Sequence, residues 1–295
     1  MKSTRWAALA LAFGISTPAL AATDCPAGGT IRFGVVPYDS SAILMPIYKK
    51  IGQEISKDTG CPVDVIIATS YNAEIEAMRA GKLEIGEFGP LGYVLAHQVA
   101  DAQAVATYAQ ANGKQSTYTA SIVTWPGSGI HNLKEVAGHT FAYSDPASTS
   151  GHLFPAYALK KVGIDPDKGV KPIYAGSHTA SFEAILNHKV QAGELNSQTI
   201  AAAEIQHQYN PKDFVVLWKS KDIPEDPIAV YGKLNPALKT KLTTVLQHLS
   251  LGELTADEQK VISSQYGRLV PITNAAYQQI ADLTGILHID LTKLK

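Results

Sequence analysis

The feature of this sequence that most constrains its fold is a repeated alternation of short β-like runs with amphipathic helical segments. An apolar run at 31–36 precedes a segment at 41–57 whose apolar residues recur at helical spacing. A second run at 63–67 is followed by a helix at 73–80, and a third run at 83–88 leads into another helix. Such repetition predicts βαβ units and an α/β fold in which neighbouring strands run parallel.

A second block of the same kind follows without a Ser/Gly-rich linker between the two. We therefore predict two α/β lobes joined by extended crossings near 115–122 and 226–231, with the C-terminal helices returning to the first lobe. Ligands of such sheets bind beyond the carboxyl ends of the strands, and here both sets of strand ends would face one cleft. The predicted bounds are 22–116 plus 229–295 for lobe 1 and 117–228 for lobe 2. The second block consists of strands at 139–143, 170–174, 190–193 and 214–218 and helices near 154–162, 179–187 and 197–207.

Residues 1–21 have the pattern of a secretory signal peptide. Lys2 and Arg5 precede an apolar core at 6–15, and Ala19-Leu-Ala21 is a small-x-small cleavage pattern. We expect cleavage after Ala21 and a soluble mature protein in the periplasm. The net charge of -1 argues against a nucleic-acid partner, which would require a basic face.

The two cysteines, Cys25 and Cys61, each lie just before a predicted strand. If those strands are parallel neighbours, their starts lie side by side, and an oxidising compartment favours a disulfide between them. The nine histidines show no spacing typical of a metal site. We expect neither a metal nor a cofactor.

One stretch concentrates hydroxyl groups where a strand is predicted to turn into a helix. Ser148, Thr149 and Ser150 are consecutive, and Gly151 follows them. A helix start offers unpaired backbone N–H groups and the positive end of the helix dipole, so three hydroxyls there could bind a tetrahedral oxyanion. They could equally serve to cap the helix, because serine and threonine are preferred caps.

The order of several segments resembles the periplasmic substrate-binding proteins of phosphonate and phosphite ABC transporters. The resemblance spans nearly all of the mature chain, and the Ser-Thr-Ser-Gly segment followed by Gly-Ser-His and Asp-Pro-Ile is its most specific part. It implies a type II, flytrap-like binding protein with two mainly parallel sheets and two hinge crossings. Its segments lie at 71–82, 88–90, 145–151, 176–178 and 223–228.

The resemblance also implies which residues hold the ligand. In the family pattern the three hydroxyls bind the phosphorus oxyanion, Tyr71 and Tyr118 approach it, His178 begins a second helix, and Asp226 stands at the other crossing. An ionised carboxylate can only accept a hydrogen bond, so Asp226 would favour an oxyanion that keeps a P–OH proton and repel sulfate. Individually each has a simpler explanation: Tyr118 as a strand residue, His178 as a helix cap, and Asp226 as a turn residue.

Two departures from the family pattern leave open whether the ligand carries an amine beyond its phosphorus group. Gln198 aligns where members that take aminoalkyl phosphonates have a carboxylate, and Glu87 replaces a usual aromatic. Glu87 or Glu194 could be a replacement acid for an amine-bearing ligand. Gln198 itself is a neutral amide, which compensates a buried ammonium poorly. We therefore favour phosphite, hypophosphite or a short alkylphosphonate, captured by a monomer and delivered to a membrane permease.

Two other functions remain open at this point. One is a binding protein for phosphate or another small anion on the same fold. The other is a hydrolase that uses Ser148 or Ser150 with His178 and Asp226, although the Gly-x-Ser-x-Gly motif is absent. Arg79 is a possible anion-binding residue. Its position at a predicted helix end instead favours a side chain that is solvated or that balances the helix dipole.

Overall fold

A computed structural model describes residues 25–263 and 265–287 of the chain. The predicted signal peptide lies outside these residues. Within them, no helix combines the length and the apolar character that crossing a membrane requires.

The first of two large sheets has six strands in the order β13-β4-β12-β3-β1-β2. β1 is parallel to β2 with Ile31 opposite Val63, and parallel to β3 with Phe33 opposite Ile85, as the βαβ pattern predicts. The apolar side chains of β1 are buried, and helix α1 covers them through a stripe that includes Leu44 and Ile51. The strands are β1 (Ile31–Val35), β2 (Val63–Ile67), β3 (Ile85–Glu87), β4 (Ala102–Thr107), β12 (Pro227–Tyr231) and β13 (Val270–Pro271). The helices in the same part of the chain are α1 (Ser41–Thr59), α2 (Tyr71–Arg79) and α3 (Pro90–Ala100).

The predicted disulfide is confirmed. Cys25 is bonded to Cys61, and each cysteine precedes one strand of the parallel pair β1 and β2. The bridge therefore fixes the segment before β1 to the edge of the first sheet.

The second large sheet has five strands in the order β10-β6-β9-β7-β8. β7 is parallel to both β8 and β9, and its buried residues Phe141 and Tyr143 belong to the core beneath α4. The strands are β6 (Ala120–Thr124), β7 (Thr140–Tyr143), β8 (Lys171–Tyr174), β9 (Ala192–Asn196) and β10 (Val215–Lys219). The helices are α4 (Phe154–Lys161), α5 (His178–Leu186) and α6 (Ser197–Ile205), with short 3-10 segments at Leu133–Val136 and Pro211–Asp213.

The chain passes between the two sheets at two adjacent crossings. On the way out, β5 (Thr117–Tyr118) leads into β6, and on the way back β11 (Ile223–Pro224) leads into β12. β5 and β11 pair antiparallel, with Tyr118 opposite Ile223. The strand that enters each sheet is inserted antiparallel between strands that share one direction: β12 between β3 and β4, and β6 between β9 and β10.

The predicted fold class is confirmed in this two-sheet architecture with two crossings, and the lobe boundaries at 116/117 and 228/229 stay a prediction. The C-terminal segments pack on the first sheet as expected, since α7 contacts β4 and β12. They include β13, a short strand that the pattern did not predict, and a 3-10 segment at Asn274–Tyr277 that leads into the last helix. The remaining helices are α7 (Pro236–Leu246), α8 (Ala256–Val261) and α9 (Gln278–Leu287).

Candidate ligand-binding site

The three consecutive hydroxyls lie at the carboxyl end of β7, where a π-helical turn at Thr149–Leu153 leads into α4. Ser148, Thr149 and Ser150 are each at most 2% exposed. Only glycine fits at position 151, because a Cβ there would lie 1.7 Å from Oγ of Ser144 and 2.8 Å from Cε1 of His178. The turn thus packs closely enough to place the three hydroxyls together; we call Ser148, Thr149 and Ser150 the hydroxyl cradle.

Each oxygen of the hydroxyl cradle accepts a hydrogen bond from an N–H group of the protein. Ser148 Oγ accepts from the backbone N–H of Gly151 at 3.0 Å, which makes Ser148 the helix cap, as the simpler interpretation predicts. Thr149 Oγ1 accepts from the backbone N–H of Leu91, 2.8 Å away on α3 of the first sheet. Ser150 Oγ accepts from Nδ2 of Asn196 at 3.2 Å.

The orientation of the Asn196 amide is determined independently. Its Oδ1 accepts from the backbone N–H of Thr199 at 2.7 Å, capping α6, so Nδ2 is the atom that faces Ser150. A hydroxyl whose oxygen accepts from a fixed N–H donor still has its own hydrogen, which it can donate to a ligand. Capping and anion binding are therefore compatible, and the cradle is arranged to donate.

His178 is placed against the cradle by the start of α5. Its Nε2 lies 3.2 Å from Oγ of Ser148, and its Nδ1 lies 2.9 Å from Oε1 of Glu194 on β9. The pair is buried, with the His178 side chain 6% and the Glu194 side chain 1% exposed. Glu194 therefore lies behind His178.

The two predicted tyrosines are buried next to the cradle. Burial, followed by the charges of Asp226 and Asp145, raises the pKa of the Tyr71 phenol well above its ordinary value. Burial, followed by Asp226 and Glu225, does the same to the pKa of Tyr118, which a hydrogen bond with Thr149 partly offsets. Both phenols keep their protons near neutral pH and can donate to an oxyanion.

Gly89 lies next to both Tyr71 and Thr149. A Cβ at position 89 would lie 3.6 Å from the Tyr71 ring and 3.8 Å from Oγ1 of Thr149, so the glycine sits between residues of the two halves of the molecule.

Asp226 belongs to a group of buried carboxyl groups in the first half of the molecule, which we call the carboxyl cluster: Glu74, Glu87, Glu225 and Asp226. Burial, then Glu225 and Glu87, raises the pKa of Asp226 well above its ordinary value. Burial also raises the pKa of Glu225 to about 8 and that of Glu87 to about 7. Because Asp226 affects the pKa values of Tyr38, Tyr71 and Tyr118, its carboxyl group faces the same space as those phenols.

Two of the possible wall residues have partners of their own. The oxygens of Glu87 accept from the hydroxyls of Tyr48 and Tyr108, the latter at 2.7 Å. Gln198 donates from Nε2 to Oε1 of Glu225, whose other oxygen is buried without a partner. The Gln198 amide therefore binds a carboxyl group of the protein itself.

The predicted Ser–His–Asp grouping is wrong in one member. Glu194, not Asp226, lies against Nδ1 of His178. The residues that approach one another are therefore Ser148, His178 and Glu194. Arg79 is remote from this arrangement, since it pairs with Glu76 on the exposed surface of α2.

Further contacts join the two halves of the molecule around the site. The hydroxyl of Thr179, in the first turn of α5, donates to Oδ1 of Asp39 at 2.5 Å. The backbone N–H of His178 donates to the carbonyl of Tyr38 at 3.3 Å. The loop after β1 therefore satisfies donors at the start of a helix on the opposite side, and the cleft is closed.

Sequence reasoning missed Tyr38, Asn196 and Glu225. Tyr38 lies directly after the carboxyl end of β1, which is where ligands of α/β sheets bind, and that rule could have found it. Glu225 immediately precedes Asp226, and adjacent carboxyl groups at a crossing were a usable signal. Asn196 ends β9 and caps α6, and nothing in the sequence indicates its contact with Ser150. Among residues 25–263 and 265–287, no group of three or more His, Cys, Asp or Glu side chains is arranged so that it could hold a metal ion.

Comparisons with known proteins agree with this architecture. A family model described as the periplasmic substrate-binding protein of phosphonate ABC transporters matches residues 33–277. A phosphate-import protein of Mycolicibacterium smegmatis is 27% identical over 277 residues, covering 87% of this chain and 86% of that protein.

Solved structures give the same result. The binding-protein component of a phosphonate ABC transporter from Pseudomonas aeruginosa is 26% identical and superposes with a TM-score of 0.77, covering 88% of this chain and 86% of that one. A Prochlorococcus marinus protein in complex with methylphosphonate shares the fold at 20% identity, with a TM-score of 0.74 over 88% of this chain and 98% of that one.

Proposed function

The chain belongs to the family of periplasmic substrate-binding proteins of phosphonate ABC transporters, and from that premise we propose that it captures a small phosphorus oxyanion. The ligands that fit best are phosphite, hypophosphite and short alkylphosphonates such as methylphosphonate. The oxyanion is held by the hydroxyl cradle, Tyr71, Tyr118 and His178, and Asp226 accepts a hydrogen bond from the P–OH group of a singly protonated phosphite or alkylphosphonate; hypophosphite, which has no P–OH group near neutral pH, is bound through its two acceptor oxygens alone.

The observation that carries this proposal is the occupation of all three cradle oxygens by N–H donors. While the oxygens accept from Gly151, Leu91 and Asn196, each hydroxyl can still donate its hydrogen. A buried hydroxyl that donates matches an anion oxygen that can only accept, and hydrogen bonds to a charged partner are worth about 1.5–3 kcal/mol each. Such a site binds an anion without a lysine or arginine.

Asp226 supports the preference for a protonated ligand. An ionised Asp226 can only accept hydrogen bonds, so it favours a ligand with a P–OH hydrogen to donate and repels an anion without one. A protonated Asp226 does not depend on a hydrogen from the ligand, and burial favours the protonated carboxyl group. Asp226 ionises as the pH rises, so the difference in affinity between ligands with a P–OH group and sulfate increases. A matched polar site rejects a wrong partner strongly because the unmatched group stays buried and unpaired.

A ligand panel tests the proposal. Intrinsic fluorescence of the mature protein is titrated with phosphite, hypophosphite, methylphosphonate, aminoethylphosphonate, phosphate and sulfate. We expect the first three to bind more tightly than sulfate, and Asp226→Asn to narrow that difference, since an amide also donates. Tightest binding of sulfate, or binding of none of the six, would contradict the proposal.

Phosphate is the second candidate ligand. The name of the Mycolicibacterium smegmatis relative supports it, and phosphate presents the same acceptor oxygens with at least one P–OH near neutral pH. The panel separates the two: tightest binding of phosphate would assign the protein to phosphate import.

Catalysis is not part of this proposal, although Ser148, His178 and Glu194 contact one another as a nucleophile, a base and an orienting acid do. Ser148 Oγ also caps the helix through Gly151, which suits a binding hydroxyl. Unchanged methylphosphonate, recovered after long incubation, is the expected result; its hydrolysis would instead make the chain an enzyme.

Delivery to a membrane permease follows from family membership, and we infer that the permease recognises the closed form. Cleavage after Ala21 and a monomeric mature protein in the periplasm complete the proposal. Intact mass and light scattering of protein isolated from periplasm test these two points; a retained signal sequence or a stable dimer would contradict them.

A further inference from the structure

The partners of His178 decide whether its imidazole donates or accepts in the cradle. Nδ1 faces Oε1 of Glu194 at 2.9 Å, and since a carboxylate only accepts, Nδ1 carries a hydrogen. In a neutral imidazole Nε2 is then an acceptor, 3.2 Å from Oγ of Ser148. Because Nε2 then has no hydrogen to give, Ser148 donates its own hydrogen to Nε2.

Neutral His178 therefore opposes anion binding in two ways. It withdraws the Ser148 hydrogen from the cradle, and it presents a lone pair of Nε2 to the same space. Protonation of His178 reverses both effects, because Nε2 becomes a donor and the Ser148 hydrogen is released to the ligand. An oxyanion thus gains two donors and one positive charge from a single proton.

Three carboxylates near His178 can balance a positive charge on its ring. Glu194 faces it from β9, and its second oxygen is buried without a partner. Asp145, in the loop after β7, is close enough for His178 to lower its pKa against the larger effect of burial. Asp39, on the other side of the cleft, accepts a hydrogen bond from the hydroxyl of Thr179. None of the salt bridges in the described residues brings a lysine or arginine to these three carboxylates.

We propose that anion binding is coupled to the uptake of one proton from solvent by His178, and that Glu194 is the positioning residue that holds the imidazolium. The proposal rests on the proposed function and deepens it. Glu194 orients the ring through Nδ1 and balances its charge, while Nε2 and Ser148 turn toward the oxyanion.

Proton counting tests this coupling. Binding of hypophosphite is measured by titration calorimetry at pH 8 in buffers of different ionisation enthalpy. Hypophosphite does not titrate near neutral pH, so any proton taken up belongs to the protein, and an ordinary histidine, with a pKa of about 6.5, is mostly neutral at pH 8. We expect uptake of nearly one proton per anion and an affinity that falls by up to about tenfold for each pH unit above 8.

Three variants separate the residues. Glu194→Gln removes the charge behind the ring, so we expect little proton uptake and about ten- to a hundred-fold weaker binding. His178→Gln keeps a side-chain donor but cannot titrate, so its weaker binding should show no uptake. Glu183→Gln removes one exposed carboxylate from the same helix and should match the wild type in both respects.

The outcomes distinguish this inference from the proposed function. Binding without proton uptake in the wild type overturns the coupling, and uptake that persists in His178→Gln assigns the proton to another group, such as the carboxyl cluster. Full uptake in Glu194→Gln overturns the role of Glu194. If methylphosphonate binds and hypophosphite does not, the difference in uptake between wild type and His178→Gln decides, since the ligand's own proton is common to both. Binding of no phosphorus oxyanion refutes the proposed function itself.

Discussion

Replacing Thr149 by valine is the most severe test of the hydroxyl cradle, because the Thr149 hydroxyl bonds both the Leu91 N–H and the ligand. Oγ1 accepts from the Leu91 backbone N–H at 2.8 Å, across the closed cleft. Its hydrogen is left for the ligand. Valine keeps nearly the same shape, removes the donor to the ligand, and leaves the Leu91 N–H buried without an acceptor on closure.

The magnitude follows from these two losses. A hydrogen bond to a charged ligand is worth about 1.5–3 kcal/mol, and a buried unpaired N–H costs about 1–3 kcal/mol. Even the low ends of both ranges together weaken binding by roughly 70-fold. Calorimetry or fluorescence with methylphosphonate measures the change.

Thr149→Ser is the matched control, since it keeps the hydroxyl and removes only a methyl group. We expect its affinity to stay within about fivefold of the wild type. Urea unfolding of both ligand-free variants shows whether the fold is intact. Thr149→Val binding within threefold of the wild type, or Thr149→Ser binding as weakly as Thr149→Val, would refute the reasoning.

Four further predictions follow from individual contacts. Asp39→Ala removes a closing contact that touches no cradle hydroxyl, so affinities for all ligands should fall by one common factor of about three to ten; calorimetry across the panel detects a ligand-dependent change, which would contradict this. Serine at Cys25 and Cys61 should lower the free energy of unfolding by roughly 3–4 kcal/mol, measured in urea. Glu87→Gln should flatten the pH dependence of stability: a folded pKa of about 7 against an ordinary 4.5 means that stability is fully present below pH 4.5 and declines, by about 3 kcal/mol, as pH rises to 7. Arg79→Ala should leave ligand affinity unchanged in the same fluorescence titration, because Arg79 pairs with Glu76 on the exposed surface of α2.

The fold was largely predictable because hydrophobic periodicity and strand–helix alternation are local signals. The pairing of β1 with β2, and with it the disulfide, follows from such units. The inserted strands β12 and β6 overlap the predicted extended crossings, but their antiparallel pairing with distant segments was not predicted. Local sequence does not encode which distant strand supplies the ladder of hydrogen bonds.

The site divides in the same way. A run of hydroxyls at a strand-to-helix turn is visible in the sequence, so the hydroxyl cradle could be placed. Its contacts with Leu91 and Asn196 join residues far apart in the chain and depend on closure of the cleft. The partner of His178 was misassigned for a related reason: Glu194 reaches it only because β9 lies beside β7 in the second sheet.

A crystal structure of the mature protein with methylphosphonate tests the central claim most directly. The account predicts phosphonate oxygens within hydrogen-bond distance of Ser148, Thr149 and Ser150, while the N–H groups of Gly151, Leu91 and Asn196 stay on the hydroxyl oxygens. One phosphonate oxygen should lie against Asp226. A ligand bound elsewhere, or one held by a lysine or arginine while the three hydroxyls turn away, would contradict it.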